Sequence, residues 1–127
     1  MKTRAAILMG KGHVIVEEIE LRDLKEDELL IRIQACNLCT SEYGIYTGNR
    51  SAKFPYRFGH EWTGTVVETG SGVKEFQKGD FVGGIFEYET GNVQAQLGYS
   101  SRAPRLYAFH EMNEDGYYGR FRGCAEY

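Results

Sequence analysis

Thiol, imidazole and carboxylate are side chains that suit zinc, and two short stretches of this sequence carry them. Gly59-His60-Glu61 sets an imidazole beside a carboxylate, just before a run that reads as a strand, and Gly64 follows three positions on. Cys39 lies twenty-one residues upstream of His60, with Thr40, Ser41 and Glu42 directly after it. Catalytic zinc takes about three protein ligands and keeps a position for water or substrate, so Cys39, His60 and Glu61 form a candidate set. Neighbouring residues of a regular strand face opposite sides. His60 and Glu61 therefore reach one metal only if the backbone bends, which the flanking glycines allow. On residue types alone, a histidine beside a glutamate is more often structural than a ligand pair.

Cys36-Asn37-Leu38-Cys39 has the spacing of half a zinc ribbon or of a redox pair. The chain holds no second such pair and no strand–helix–strand pattern around this one, which disfavours both readings. Cys36 is expected to be a small buried residue ending a strand, and Cys124 a buried or incidental thiol. An odd count of three cysteines does not suggest a disulfide framework, and a reducing cytoplasm is the expected compartment.

These groups need elements to position them, and the totals bound what those can be. With 127 residues, 42% hydrophobic and 26% charged, one domain with a real core is expected rather than a disordered chain. Sixteen glycines against two prolines suggest many turns, as in an all-β chain. The formal net charge of -3 gives no electrostatic reason for nucleic acid or an anionic membrane as partner. No apolar run approaches bilayer length, and the hydrophobic patch near the N-terminus is too short for a secretory signal.

Residues 3–8 and 13–19 read as β-rich runs around a Met9-Gly10-Lys11-Gly12 turn. Val14, Val16 and Ile19 are expected to supply the apolar side, with Glu17 and Glu18 outward. After a charged turn over 21–27, residues 29–35 alternate like a half-buried strand and deliver the chain to Cys36 and Cys39. A short helix over 41–46, capped by Ser41, and a polar loop over 47–53 follow. Residues 62–69 alternate again and end at Gly70-Ser71-Gly72; Gly79-Asp80 opens a short strand at Phe81-Val82. Residues 86–122 lack a clear period and read as a long lobe on a barrel, of a kind that is functional or packs on a partner. The run 121–127 looks like the start of one more strand.

Taken together, these motifs resemble one family. Gly59-His60-Glu61-x-x-Gly64 with Gly70 and Val73 looks like the zinc signature of the medium-chain alcohol dehydrogenases. Cys39-Thr40-Ser41-Glu42 resembles that family's Cys-x-(Ser/Thr)-Asp segment. Pro55, Gly79-Asp80 and the closing Gly-x-Ala-Glu-Tyr fall in family order across nearly the whole chain. The resemblance implies a mainly β, GroES-like, partly open β-barrel with short helices and a long lobe, spanning residues 1–127. A nucleotide-binding Rossmann domain is expected to be absent from residues 1–127, since no G-x-G-x-x-G follows a strand there.

The same resemblance implies roles. Cys39 and His60 match catalytic zinc ligands, and Glu61 the carboxylate that binds the metal in some members and lies behind it in others. Ser41 matches the hydroxyl that takes the alcohol proton, and Thr40 the position that abuts the nicotinamide cofactor. Glu42 stands where the family usually has Asp, holding the ring of the ligand histidine. The implied activity is zinc-assisted oxidation of a small alcohol or polyol with hydride transfer to NAD(P)+. Residues 84–122 lack the four cysteines of a structural zinc lobe, and residues 93–99 look more like the lobe of bacterial secondary-alcohol dehydrogenases. The family's remaining ligand would lie beyond this chain, with His110, Glu111 and Asp115 as conceivable substitutes.

As an isolated chain it is expected to hold zinc weakly and to lack turnover. Two other readings stay open. One is a stand-alone GroES-like binding or assembly module, a homo-oligomer using its Tyr-rich lobe. The other is half of a split dehydrogenase whose separate partner chain binds the nucleotide.

Overall fold

The computed structural model describes residues 1–84, 112–119 and 122–127. Strands β1 (Lys2–Gly10) and β2 (His13–Glu20) form the expected antiparallel hairpin, in register from Lys2 opposite Glu20 to Leu8 opposite Val14. Thr3, Ala5 and Ile7 alternate inward along β1, and Ala5 and Ile7 pack with Ile19, Ile15, Tyr117 and Ala125. Val14 and Val16 do not join them. Strand side chains alternate with a period of two, so positions 14 and 16 face away from position 19. They stand on the other face, Val16 70% exposed. The grouping of Val14, Val16 and Ile19 on one apolar side is therefore corrected.

A second antiparallel pair carries the chemistry. Strand β3 (Leu29–Asn37) runs beside β5 (Glu61–Thr69), with Asn37 opposite Glu61 and Cys36 opposite Trp62; β6 (Phe81–Gly83) covers the other edge of β5. The end of β3 thus lies beside the start of β5, which brings the Cys39 segment to His60. Helix α1 (Thr40–Thr47) begins directly after this point. Because β3 continues through Asn37, Cys36 lies inside it and is half-exposed rather than buried. Strand β4 (Tyr56–Arg57), too short to show a period in the sequence, pairs with Ile7 and Leu8.

The C-terminal residues join the two three-stranded sheets. Ala6 N–H donates to the Cys124 carbonyl at 2.8 Å, and Glu126 N–H donates to the Arg4 carbonyl at 3.0 Å. On the other side, Ile33 N–H donates to the Glu126 carbonyl at 2.9 Å. The expected last strand is realised as a single bridge, Ala5 to Ala125, rather than a full strand. The architecture is mainly β and partly open, with one helix among the described residues. Of the lobe read over 86–122, residues 86–111, with the 93–99 likeness, and residues 120 and 121 lie outside the described residues.

Candidate metal centre

Where β3 ends, Cys39 has extended backbone (φ -73°, ψ 154°), and its carbonyl accepts the N–H groups of Glu42 and Tyr43. Cys39 is therefore the cap of α1. Ser41, expected in that role, sits inside the first turn, because the chain turns helical two residues earlier. Glu42 returns the bond: its Oε2 accepts the Cys39 N–H at 3.1 Å, the carboxylate arm of a capping box.

The second arm of Glu42 reaches the other segment. Its Oε1 accepts the Gly59 N–H at 2.5 Å and lies 3.4 Å from His60 Nδ1. Glu42 is only 7% exposed, so one carboxylate ties the start of α1 to the approach to β5. The bend that the sequence requires there falls at Gly59, with φ at +107°. A Cβ at this position would come within 2.3 Å of the Cys124 nitrogen and 2.9 Å of Cys36 Sγ. His60 thus precedes β5 instead of alternating within it, and its Nε2 lies 3.8 Å from Glu61 Oε1.

The result is a cluster in which one donor atom each from Cys39, His60 and Glu61 lies within 4.8 Å of the others. Sulfur, imidazole nitrogen and carboxylate oxygen form a donor set that fits zinc. The Ser41 hydroxyl bonded to the Cys39 sulfur, and then the Ser41 N–H, lower the thiol's pKa; desolvation opposes them, and His60 and Thr40 add weaker lowering effects. A thiolate is the ligand form of cysteine.

Asp115 does not join this cluster. It accepts from Arg57 Nη1 at 3.1 Å and from both terminal nitrogens of Arg122, which commits its carboxylate elsewhere. Of the conceivable substitute ligands, Asp115 is thus engaged away from the cluster, and His110 and Glu111 lie outside the described residues. Burial and the nearby Arg122 push the Arg57 guanidinium down, while Asp115 draws it up.

Two features carried no signal in the sequence. Cys36 Sγ and Cys124 Sγ lie 3.5 Å apart although 88 residues separate them. A cleft of about 1010 Å³ opens beside α1, walled by Leu8, Val14, Tyr43 and Tyr46. It meets the centre at Thr40 and Glu42, whereas Cys39, His60 and Glu61 stand outside it. Among the described residues, no helix is long and apolar enough to cross a membrane.

Comparison with known proteins places the chain in a family. Residues 25–126 match the family described as the alcohol dehydrogenase GroES-like domain. The chain is 33% identical over 117 residues to a zinc-type alcohol dehydrogenase B of Aspergillus flavus, covering 91% of this chain and 27% of that protein. It is 40% identical over 84 residues to alcohol dehydrogenase B of Mycobacterium tuberculosis, covering 65% of this chain and 22% of that protein. The chain therefore spans about a quarter of the length of these curated relatives. Among solved structures, it is similar to a thermostable alcohol dehydrogenase from Pyrobaculum aerophilum, with a TM-score of 0.73 and 25% identity over 99% of this chain and 38% of that one. A Sinorhizobium meliloti protein assigned to the zinc-binding dehydrogenases and solved bound to NADP gives a TM-score of 0.75 and 28% identity, over 99% of this chain and 35% of that one.

Proposed function

The chain belongs to the alcohol dehydrogenase GroES-like domain family, and from that premise we propose that residues 1–127 form the zinc-holding catalytic domain of an alcohol or polyol dehydrogenase working with NAD(P)+. The observation that carries this reading is the convergence of Cys39, His60 and Glu61 donor atoms within 4.8 Å. These three residues would hold the zinc, which when bound supplies a Lewis acid that lowers the pKa of an alcohol beside it.

The chain's own residues do the positioning. Cys39 offers a sulfur already biased toward thiolate by Ser41. Glu42 Oε1, 3.4 Å from His60 Nδ1, sets the imidazole so that Nε2 lies 3.8 Å from Glu61 Oε1. Ser41 Oγ takes the alcohol proton and passes it to solvent, and Thr40 faces the nicotinamide. A nucleotide-binding domain, on this polypeptide or another, holds the cofactor and completes the pocket. Three free thiols fit a reducing cytoplasm as the compartment.

A second reading, assembly with a partner chain, is favoured by one observation. Val16, Leu38 and Tyr43, all walls of the cleft, are 70%, 66% and 64% exposed, and such an apolar patch fits an interface. Gel filtration separates the two: a stable oligomer that persists without metal in Cys39→Ser supports assembly as the primary role.

Cobalt tests the metal reading. The purified chain loaded with Co2+ is expected to show thiolate-to-metal charge-transfer absorption that Cys39→Ser abolishes. Absence of that band in the parent, or its survival in the variant, overturns the assignment. The isolated chain with NAD(P)+ and 2-propanol or sorbitol is expected to show no turnover.

A further inference from the structure

We propose that Cys36 and Cys124 form an oxidisable dithiol, which hydrogen peroxide closes to a disulfide that fastens the C-terminal segment to the end of β3. Their sulfurs already touch, at 3.5 Å. A disulfide needs about 2.0 Å, so the approach left to make is on the order of 1.5 Å.

Strand pairing at Cys36 and three backbone hydrogen bonds around Cys124 hold the two thiols in this contact. Cys36 sits in β3 opposite Trp62 of β5. Cys124 N–H donates to the Phe58 carbonyl at 3.1 Å, and the Cys124 carbonyl accepts from Ala6 N–H at 2.8 Å. Gly123 N–H donates to the Gly59 carbonyl at 2.9 Å. Gly59 lacks a side chain where one would press on both partners, at Cys36 Sγ and at the Cys124 nitrogen. Two groups held this way react as neighbours at high effective concentration. Both sulfurs also border the cleft beside α1, which gives a small oxidant access.

The chemistry balances. The Cys36 sulfur, the less enclosed of the two, attacks one peroxide oxygen; the O–O bond breaks, water leaves, and Cys36 carries a sulfenic acid. The Cys124 sulfur attacks that sulfur; the S–O bond breaks and a second water leaves. The two thiols give up two hydrogens and two electrons, and hydrogen peroxide becomes two waters. Burial raises both thiols above the usual cysteine range. Both are therefore protonated at neutral pH and answer a sustained oxidant rather than a trace.

The pairing differs from the one that the Cys36-x-x-Cys39 spacing suggests. It leaves Cys39 unpaired and joins residues 88 apart in sequence. Closing so long a loop restricts the unfolded chain strongly, and the clamp lands on the segment that joins the two sheets.

The test treats the purified chain, its metal retained, with hydrogen peroxide, then alkylates it in denaturant for mass measurement and peptide mapping. Free thiols are expected to fall from three to one, with one Cys36–Cys124 linkage that dithiothreitol reverses. Cys36→Ser and Cys124→Ser should each keep two free thiols under the same treatment. The oxidised parent should melt several degrees above the reduced one. A Cys36–Cys39 linkage, retention of all three thiols, or conversion to sulfinic acid without a crosslink would each overturn the proposal. The parent measurement needs no variant, so a poorly folding substitution leaves the result decisive.

Discussion

Glu42 concentrates more of the centre than any ligand does, because one carboxylate serves Cys39 N–H, Gly59 N–H and the His60 ring. Glu42→Gln removes the charge that faces His60 and should weaken zinc binding on the order of 10- to 100-fold, read by competition with a chromophoric chelator. Glu42→Ala leaves two N–H groups without their acceptor and should also cost about 1–3 kcal/mol of stability. Gly59→Ala meets both an unfavourable φ of +107° and the Cys124 backbone. A strained backbone of this kind costs on the order of 1–3 kcal/mol, and urea unfolding should show at least that loss. At this scale the candidate set Cys39, His60 and Glu61 was legible, since few side chains suit zinc, and the structure brings their donor atoms within 4.8 Å. The Ser41 cap was misread because a cap is set by the backbone torsions of Cys39, which residue type does not reveal. The Cys36–Cys124 contact was invisible because nothing local links residues so far apart.

Among the elements, β1 and β2 make a small core in which Ile7 is fully buried. Ile7→Ala should destabilise the chain by about 2–5 kcal/mol, transfer and cavity contributions together, measured by denaturant midpoint at constant slope. The turn before β3 carries a pH signature. The Arg22 guanidinium, with the Lys25 N–H, lowers the Glu28 pKa from 4.5 to about 2, against a small rise from burial. A carboxylate depressed by folding stabilises the fold above its unfolded pKa, and that contribution fades as pH falls from 4.5 toward 2. The stability difference between parent and Glu28→Gln should therefore be full near neutrality and shrink across that window; a constant difference contradicts the assignment. Strands β1, β2, β3, β5 and β6 were readable because each alternates or follows a glycine turn. Strand β4 was not, since two residues cannot display a period. Val14 and Val16 lie on the opposite face from Ile19 because strand parity, which apolarity alone does not reveal, sets the side.

At the scale of the whole molecule, residues 124–126 decide whether there are two sheets or one continuous surface. Their stabilising links are the backbone bonds to Arg4, Ala6 and Ile33. The Arg4–Glu126 ion pair adds little, because both side chains are well exposed and solvent screens their attraction. Glu126→Gln should accordingly change the melting midpoint slightly, whereas removing residues 124–127 should broaden the transition as the sheets uncouple. The order of the sequence motifs had anticipated this closing segment but not its place between β1 and β3, which only long-range pairing defines. That junction also presses Cys124 against Gly59, so the sheets and the candidate centre share one support. The most direct measurement is the zinc content of chain purified without chelator, for the parent and for Cys39→Ser and His60→Ala. Zinc in the parent chain, lost in both variants while their circular dichroism stays β-rich, is the expected result. A metal-free parent, or variants that keep the parent's zinc, would contradict the assignment of Cys39 and His60 as ligands.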